Sequence, residues 1–442
     1  MTNQAPVADS CDVIVIGGGP AGATVASLVA EPGHHVQLFE RDHFPRFHVG
    51  ESLVPETYWV LKRLGMLPKL QKSPFVKKHS VQFVSGGGRA SAPFYFHDNR
   101  PHESSQTWQV VRSEFDQLML DNAREHGALV HEGARVLEVL MEDDRACGVK
   151  VKAEDGSVTE VRAPVTVDAT GQVGLLQNRL RLRVWDPVLA KGSVWTYWKG
   201  AQRGEGRDEG ATGVIQTPGG DGWFWYIPLH DDIVSVGVVA PLDQLFKNSQ
   251  GFAAAYEAEV EACPAIKERV GPAERVAGHF AAKDYSYRSR QLAGDGWVLV
   301  GDAFAFLDPL YSSGVLLALK SGELAADAII EGLKAADTSA GQLGKWGPAF
   351  TEGLDRMRRL VCAYYEGFNF GKFVKVNPHL RGAITDLLIG DLFNDQVDVV
   401  WGPLESLRGP GSEPIPSWDA GQSAEQAPEK SNELIVPGGR TP

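Results

Sequence analysis

One glycine-rich turn near the start of the chain constrains the fold more than any other feature. Val13–Ile16 is a short β-branched apolar run. Gly17-x-Gly19-x-x-Gly22 follows it, and Ala23–Ala30 continues at helical spacing. His34–Glu40 reads as a second strand, ending on an acid 18 residues after Gly22. Each part has a task in a βαβ dinucleotide site. Gly17 allows the tight turn, Gly19 lets a pyrophosphate approach the backbone, and Gly22 lets the helix pack on the sheet. The helix start offers free N–H groups to phosphate, and Glu40 offers a carboxylate to ribose hydroxyls. Glycine turns alone are common, but here strand, turn, helix, strand and acid agree. The fingerprint does not choose between FAD and NAD.

Composition removes several classes of function. The 442 residues carry 43 Lys and Arg against 56 Asp and Glu, a formal charge of −13. That balance speaks against nucleic acid and against anionic membrane surfaces. No run approaches the ~18 apolar residues of a membrane span. Cys11, Cys147, Cys263 and Cys362 lie far apart with no CxxC, so neither a metal site nor a disulfide framework is expected, and a cytoplasmic location is. The stretch 109–128 fits an amphipathic helix ended by Gly127, and Gly314–Lys334 a long helix. Several strands alternate between them, and helical pattern returns from about Pro348 to Asn394. From Gly409 the chain is rich in Pro, Gly, Ser and Glu and reads as a disordered tail.

Three distant segments favour FAD by resemblance. VVRSEFD (Val110–Asp116), VDATG (Val167–Gly171) and GWVLVGDAFAFLDP (Gly296–Pro309) resemble recurring motifs of the FAD-binding monooxygenase superfamily. Within it the chain resembles the flavin-dependent halogenases over roughly residues 10–400. The likeness rests on FPRFHVGESLVP (Phe44–Pro55), FVKKHSVQF (Phe75–Phe83), GWFWYIP (Gly222–Pro228) and DPLYSSGV (Asp308–Val315).

The resemblance implies a role for each stretch. FAD is held by Gly17, Gly19, Gly22, Glu40, Arg41, Arg46, Glu51, Ser52, Arg112, Asp302 and Gly314. Trp223 and Trp225, two apart on a strand, point to one face and with Ile227 and Pro228 wall the flavin off from organic substrate. Lys78 stands five residues before Phe83, the family's spacing for its catalytic lysine, and Lys77 would face the other way on a strand. His79-Ser80-Val81 departs from the usual glycine-containing stretch there. Ser313 and Gly314 match the halide site at the start of the long helix. A serine at a helix start is also an ordinary cap, a lysine pair an ordinary solvated pair, and a W-x-W an ordinary core pair. Only the combination favours the sharper reading. Tyr311 replaces a glutamate of the tryptophan halogenases, which directs the resemblance toward enzymes acting on phenols or pyrroles.

The implied fold class is α/β: a Rossmann-type FAD-binding domain with an inserted, mainly antiparallel β substrate domain and C-terminal helices. The FAD-binding domain is expected at 10–75, 109–175 and 286–335, the substrate-side sheet at 76–108 and 176–285, the helical region at 336–405 and the tail at 409–442. The implied function is a halogenase that uses reduced FAD, dioxygen and chloride or bromide to halogenate an electron-rich phenol or pyrrole, free or on a carrier protein. No second glycine fingerprint or nicotinamide domain is visible, so the implied partner is a flavin reductase. A non-halogenating FAD monooxygenase or geranylgeranyl-reductase-like enzyme, and a flavoprotein that modifies a partner protein, stay open.

Overall fold

The computed structural model describes residues 6–247, 250–407, 415–418 and 434–435. Its first sheet has six strands in the order Ala293–Gly294, Trp297–Leu299, Val165–Asp168, Val13–Ile16, Val36–Phe39, Leu129–His131. The pairs are parallel except at the Ala293–Gly294 edge. Val13–Ile16 is central and entirely buried, so it is apolar without alternation. The following helix, Pro20–Ala30, is buried along its whole length. It packs against the helices Arg112–Glu125 and Gly314–Ala335. These three helices and the sheet place the glycine turn at the carboxyl end of the central strand, where open α/β sheets bind ligands.

The second sheet is larger and mostly antiparallel. Its main path runs Ala305–Phe306, Phe280–Ser289, Arg183–Lys199, Ile233–Pro241, Trp223–Pro228, Thr212–Gln216, Ser80–Val84, Phe94–Tyr95. The strand Trp223–Pro228 is buried on both faces, and alternation divides its side chains between two cores. Trp223, Trp225 and Ile227 join the main core. Phe224 and Tyr226 join a separate core with Tyr256 and Ile266, under the helices Phe252–Ala262 and Pro264–Val270.

Val76–Lys78 pairs with Thr107–Gln109 just before the chain enters the large sheet. Its short alternation leaves Lys77 exposed and buries Lys78. The C-terminal part includes the helices Gly347–Tyr365, Phe370–Val376 and Arg381–Ile389, which reach the large sheet through contacts such as Phe370 on Phe94. Most of the expected tail, 409–442, lies outside the described residues. Within it Trp418 is buried and donates to Asp355 of the 19-residue helix. No described helix is long and apolar enough to cross a membrane.

Candidate functional site

The glycine cradle is built by close backbone approach. Gly17 has φ +105°, and a Cβ there would lie 2.4 Å from the Ala169 carbonyl oxygen. A Cβ on Gly22 would lie 2.0 Å from the Gly17 carbonyl oxygen. Neither position tolerates a side chain without moving backbone. Gly19 is the N-cap of the first helix and Pro20 follows it, with no side chain capping the end. That helix start keeps its positive dipole end and N–H groups for a ligand. Glu40 accepts from the Gly18 N–H at 2.7 Å and the Asp42 N–H at 2.9 Å, which fixes its carboxylate beside the turn. Among the described residues, exposed Arg41 pairs with Asp42 alone.

Arg112 organises the next layer. Its Nε and Nη2 donate to the two Asp116 oxygens at 2.8 and 3.0 Å, and its Nη1 donates to the Val49 carbonyl at 2.8 Å. Arg46 adds a contact of 3.4 Å to Asp116 and stands near Gly19. Burial alone would raise Asp116, but the two arginines outweigh it and hold its carboxyl below its ordinary range. Asp302 is pushed up to about 6 by burial, against the opposing pull of Arg112 and Arg183. Glu51 accepts from the Tyr197 hydroxyl at 2.7 Å. Burial pushes Glu51 up to about 7, against the Ser235 and Tyr197 hydroxyls and Arg112.

Lys78 lies on the other side of this loop. It is 1 % exposed. Its Nζ donates to Ser52 Oγ at 2.8 Å and to the Leu53 carbonyl at 3.0 Å. Ser52 Oγ is 3.0 Å from Thr212 Oγ1, which accepts from Gln109 Nε2 at 2.8 Å. Ser52, expected among the cofactor contacts, is thus placed on the lysine. Among the described residues no acid shifts Lys78, and burial alone lowers its pKa to about 7. The lysine lines a cavity with Phe83, Phe94, Phe96, Thr212, Leu310, Tyr311, Ser312 and Leu388, and it is the one charged side chain among the lining residues.

The tryptophans lie in the main core on the large sheet. The Trp223 and Trp225 rings are 6.4 Å apart on one face of their strand. Trp195, which the motif did not mark, extends the wall at 5.9 Å from Trp225. Trp225 donates to Ser235 Oγ at 3.0 Å and Trp223 to the Tyr365 hydroxyl at 2.9 Å. Ile227 and Pro228 complete the buried strand.

The long helix begins beside the cavity. Ser312 takes a left-handed conformation at φ 55°, and Ser313 holds the N-cap position with its hydroxyl capping nothing. The first intrahelical bond is Leu317 N–H to the Ser313 carbonyl, so the N–H groups of Gly314, Val315 and Leu316 precede it. Nothing lies within 4 Å of a Cβ built on Gly314. A 22-residue helix with an uncapped start suits a small anion.

FAD fits these residues. The cradle excludes any Cβ at Gly17 and Gly22, the first helix start is uncapped, and open space meets the backbone at Gly314. Trp195, Tyr197 and Thr212 escaped the motif reading because each reaches the site from a segment with no signature of its own.

Comparison with known proteins gives the family. The family described as tryptophan halogenase matches residues 97–369, and the family described as FAD dependent oxidoreductase matches residues 12–178. A 1H-pyrrole-2-carbonyl-(peptidyl-carrier protein) chlorinase from Pseudomonas fluorescens is 31% identical over 429 residues, 92% of this chain and 95% of that protein. The corresponding brominase from Pseudoalteromonas luteoviolacea is 33% identical over 394 residues, 87% of this chain and 93% of that protein. A solved flavin-dependent brominase superposes with a TM-score of 0.80 at 28% identity, over 90% of this chain and 99% of the other.

Proposed function

Since the chain belongs to the flavin-dependent halogenases, FAD-dependent enzymes that halogenate aromatic compounds, we propose that it transfers chlorine or bromine to a phenol or pyrrole, free or presented on a carrier protein, at Lys78. One observation carries this reading. A buried lysine, with two N–H directions taken by Ser52 and Leu53, lines an aromatic cavity beside an uncapped helix start.

Reduced FAD, when bound, supplies the activation of dioxygen that oxidises the halide. Gly17, Gly19, Gly22, Glu40, Arg46, Arg112 and Asp302 would hold it. The halide rests on the N–H groups at Ser313 and Gly314, where the helix dipole opposes the net negative charge of the chain. Trp223, Trp225 and Trp195 exclude the aromatic substrate and bulk water from the flavin side. Hypohalous acid passes them and meets Lys78. In the ammonium form Lys78 donates a hydrogen bond to it. In the amine form the nitrogen takes the halogen and releases water. A pKa near 7 keeps both forms populated at neutral pH.

The cavity supports the substrate class. No acidic side chain is among its lining residues, so nothing there would recognise the ammonium of a free amino acid. Tyr311 occupies the wall position in question and is buried. The two relatives matched over nearly their whole length act on pyrrole-2-carbonyl groups held by a carrier protein. A separate flavin reductase supplies the reduced cofactor. A cytoplasmic setting suits four cysteines that are all free. The test is bromination, followed by mass spectrometry, of phloroglucinol and of pyrrole-2-carbonyl carrier protein in the presence of FAD, a flavin reductase, NADH and bromide. Product with either probe is expected; oxygenated product formed without bromide contradicts the reading.

A further inference from the structure

The two tryptophans and the halide turn belong to segments 85 residues apart, Trp223 and Asp308, yet one side chain joins them. Tyr365, at the end of the 19-residue helix, accepts from Trp223 Nε1 at 2.9 Å. Its own hydroxyl proton goes to Asp308 Oδ2 at 2.8 Å. The other Asp308 oxygen accepts from the Leu310 N–H at 3.1 Å, and the Asp308 N–H donates to Ser286 Oγ at 3.0 Å. Asp308 therefore shapes the turn Pro309–Tyr311 that leads into Ser312 and Ser313. The Lys191 ammonium sits 4.3 Å from the centre of the Tyr365 ring and holds it in place.

We propose that Tyr365 is a positioning residue: it latches the Trp223 ring to the halide turn, so that hypohalous acid is passed inward to Lys78 and not lost to solvent. This deepens the halogenase reading and rests on it. The geometry favours a latch over plain packing for three reasons. The hydroxyl is used as donor and acceptor at once, which fixes the ring orientation as well as its burial. Its removal strands two buried groups, the Trp223 N–H and an Asp308 oxygen, on the two elements that must stay in register. The neighbouring Tyr364 packs edge-on to Tyr311 of the cavity wall at 6.5 Å. One helix end thus touches the barrier, the halide turn and the substrate cavity.

The experiment measures a ratio. Bromination of phloroglucinol and of pyrrole-2-carbonyl carrier protein is run with taurine as an external trap for hypobromite. The latch predicts that Tyr365→Phe lowers the ratio of brominated probe to bromotaurine about fivefold, the weight of one buried neutral hydrogen bond, with FAD affinity and the rate of reduced-flavin consumption unchanged. Near-UV circular dichroism of the flavin-free variant should also show a changed tryptophan signal. If Tyr365→Phe does not fold, Trp223→Phe breaks the same relay from its other end and is held to the same ratio. A wild-type ratio in the variant, or product and consumption falling together, overturns the proposal. A wild-type protein that brominates neither probe overturns the functional reading as well.

Discussion

The dinucleotide cradle and the lysine pocket are built in opposite ways. The cradle is mostly local: Gly17, Gly19, Gly22 and Glu40 fall within one βαβ unit whose spacing sets most of their geometry, with the Ala169 backbone closing in from the neighbouring strand. The pocket is assembled from afar. Lys78 is held by Ser52, Ser52 by Thr212, and Thr212 by Gln109, with the wall closed by Tyr311 and Leu388. A local site depends on backbone that cannot accept a side chain. An assembled site depends on polar partners whose loss leaves buried groups unpaired. The two should therefore fail differently.

The sharpest separation is Lys78→Met. Halogenation should fall about 10³-fold, in the range of a single positioned catalytic side chain, while flavin titration shows unchanged affinity. The reverse case is Gly22→Val, which forces atoms toward the Gly17 carbonyl. Flavin binding should be lost and the melting temperature lowered, since a strained core backbone position is among the most destabilising changes. Retained FAD binding in that variant would contradict the cradle as drawn.

A smaller effect tests whether the pocket is cooperative. Thr212→Val removes the hydroxyl between Ser52 and Gln109. Halogenation should drop about tenfold through a looser lysine, with flavin affinity intact, as single-turnover assays would show. The smallest effect is in stability. The folded pKa of Lys78, about 7, lies below its ordinary value of 10.5. The unfolded chain thus binds more protons across that window, and this group makes the protein more stable as pH rises from 7 to 10.5. Below pH 7 the buried charge opposes folding in full. Thermal melts of wild type and Lys78→Met should converge over that window by a few degrees. A constant difference would mean that Lys78 is not titrating as a buried amine.

The same contrast explains what the amino-acid sequence discloses. The βαβ unit and the long helix follow from short-range periodicity and turn chemistry, and the opposite facing of Lys77 and Lys78 from strand alternation; the burial of Lys78 follows only from the motif, and the serine cap expected at the helix start is not made. The shared face of Trp223 and Trp225 follows from the period of a strand. The partners of those residues do not. Ser52 reads as part of a cofactor-binding loop, yet its hydroxyl lies on Lys78. Trp195 carries no motif, and Tyr365 lies in a C-terminal stretch whose contacts no motif fixes; both reach the tryptophans through pairing and packing across the fold. Arg41 follows the acid that ends the second strand, but its exposed guanidinium pairs with Asp42.

The most direct test of the central claim, that Lys78 delivers halogen to an aromatic ring, pairs wild type with Lys78→Met in one bromination assay with the taurine trap. Wild type should give probe bearing the bromine isotope pair. Lys78→Met should give bromotaurine and hydrogen peroxide at near-normal flavin turnover, with brominated probe lower by about 10³-fold. Brominated probe at the wild-type rate from Lys78→Met would contradict the account.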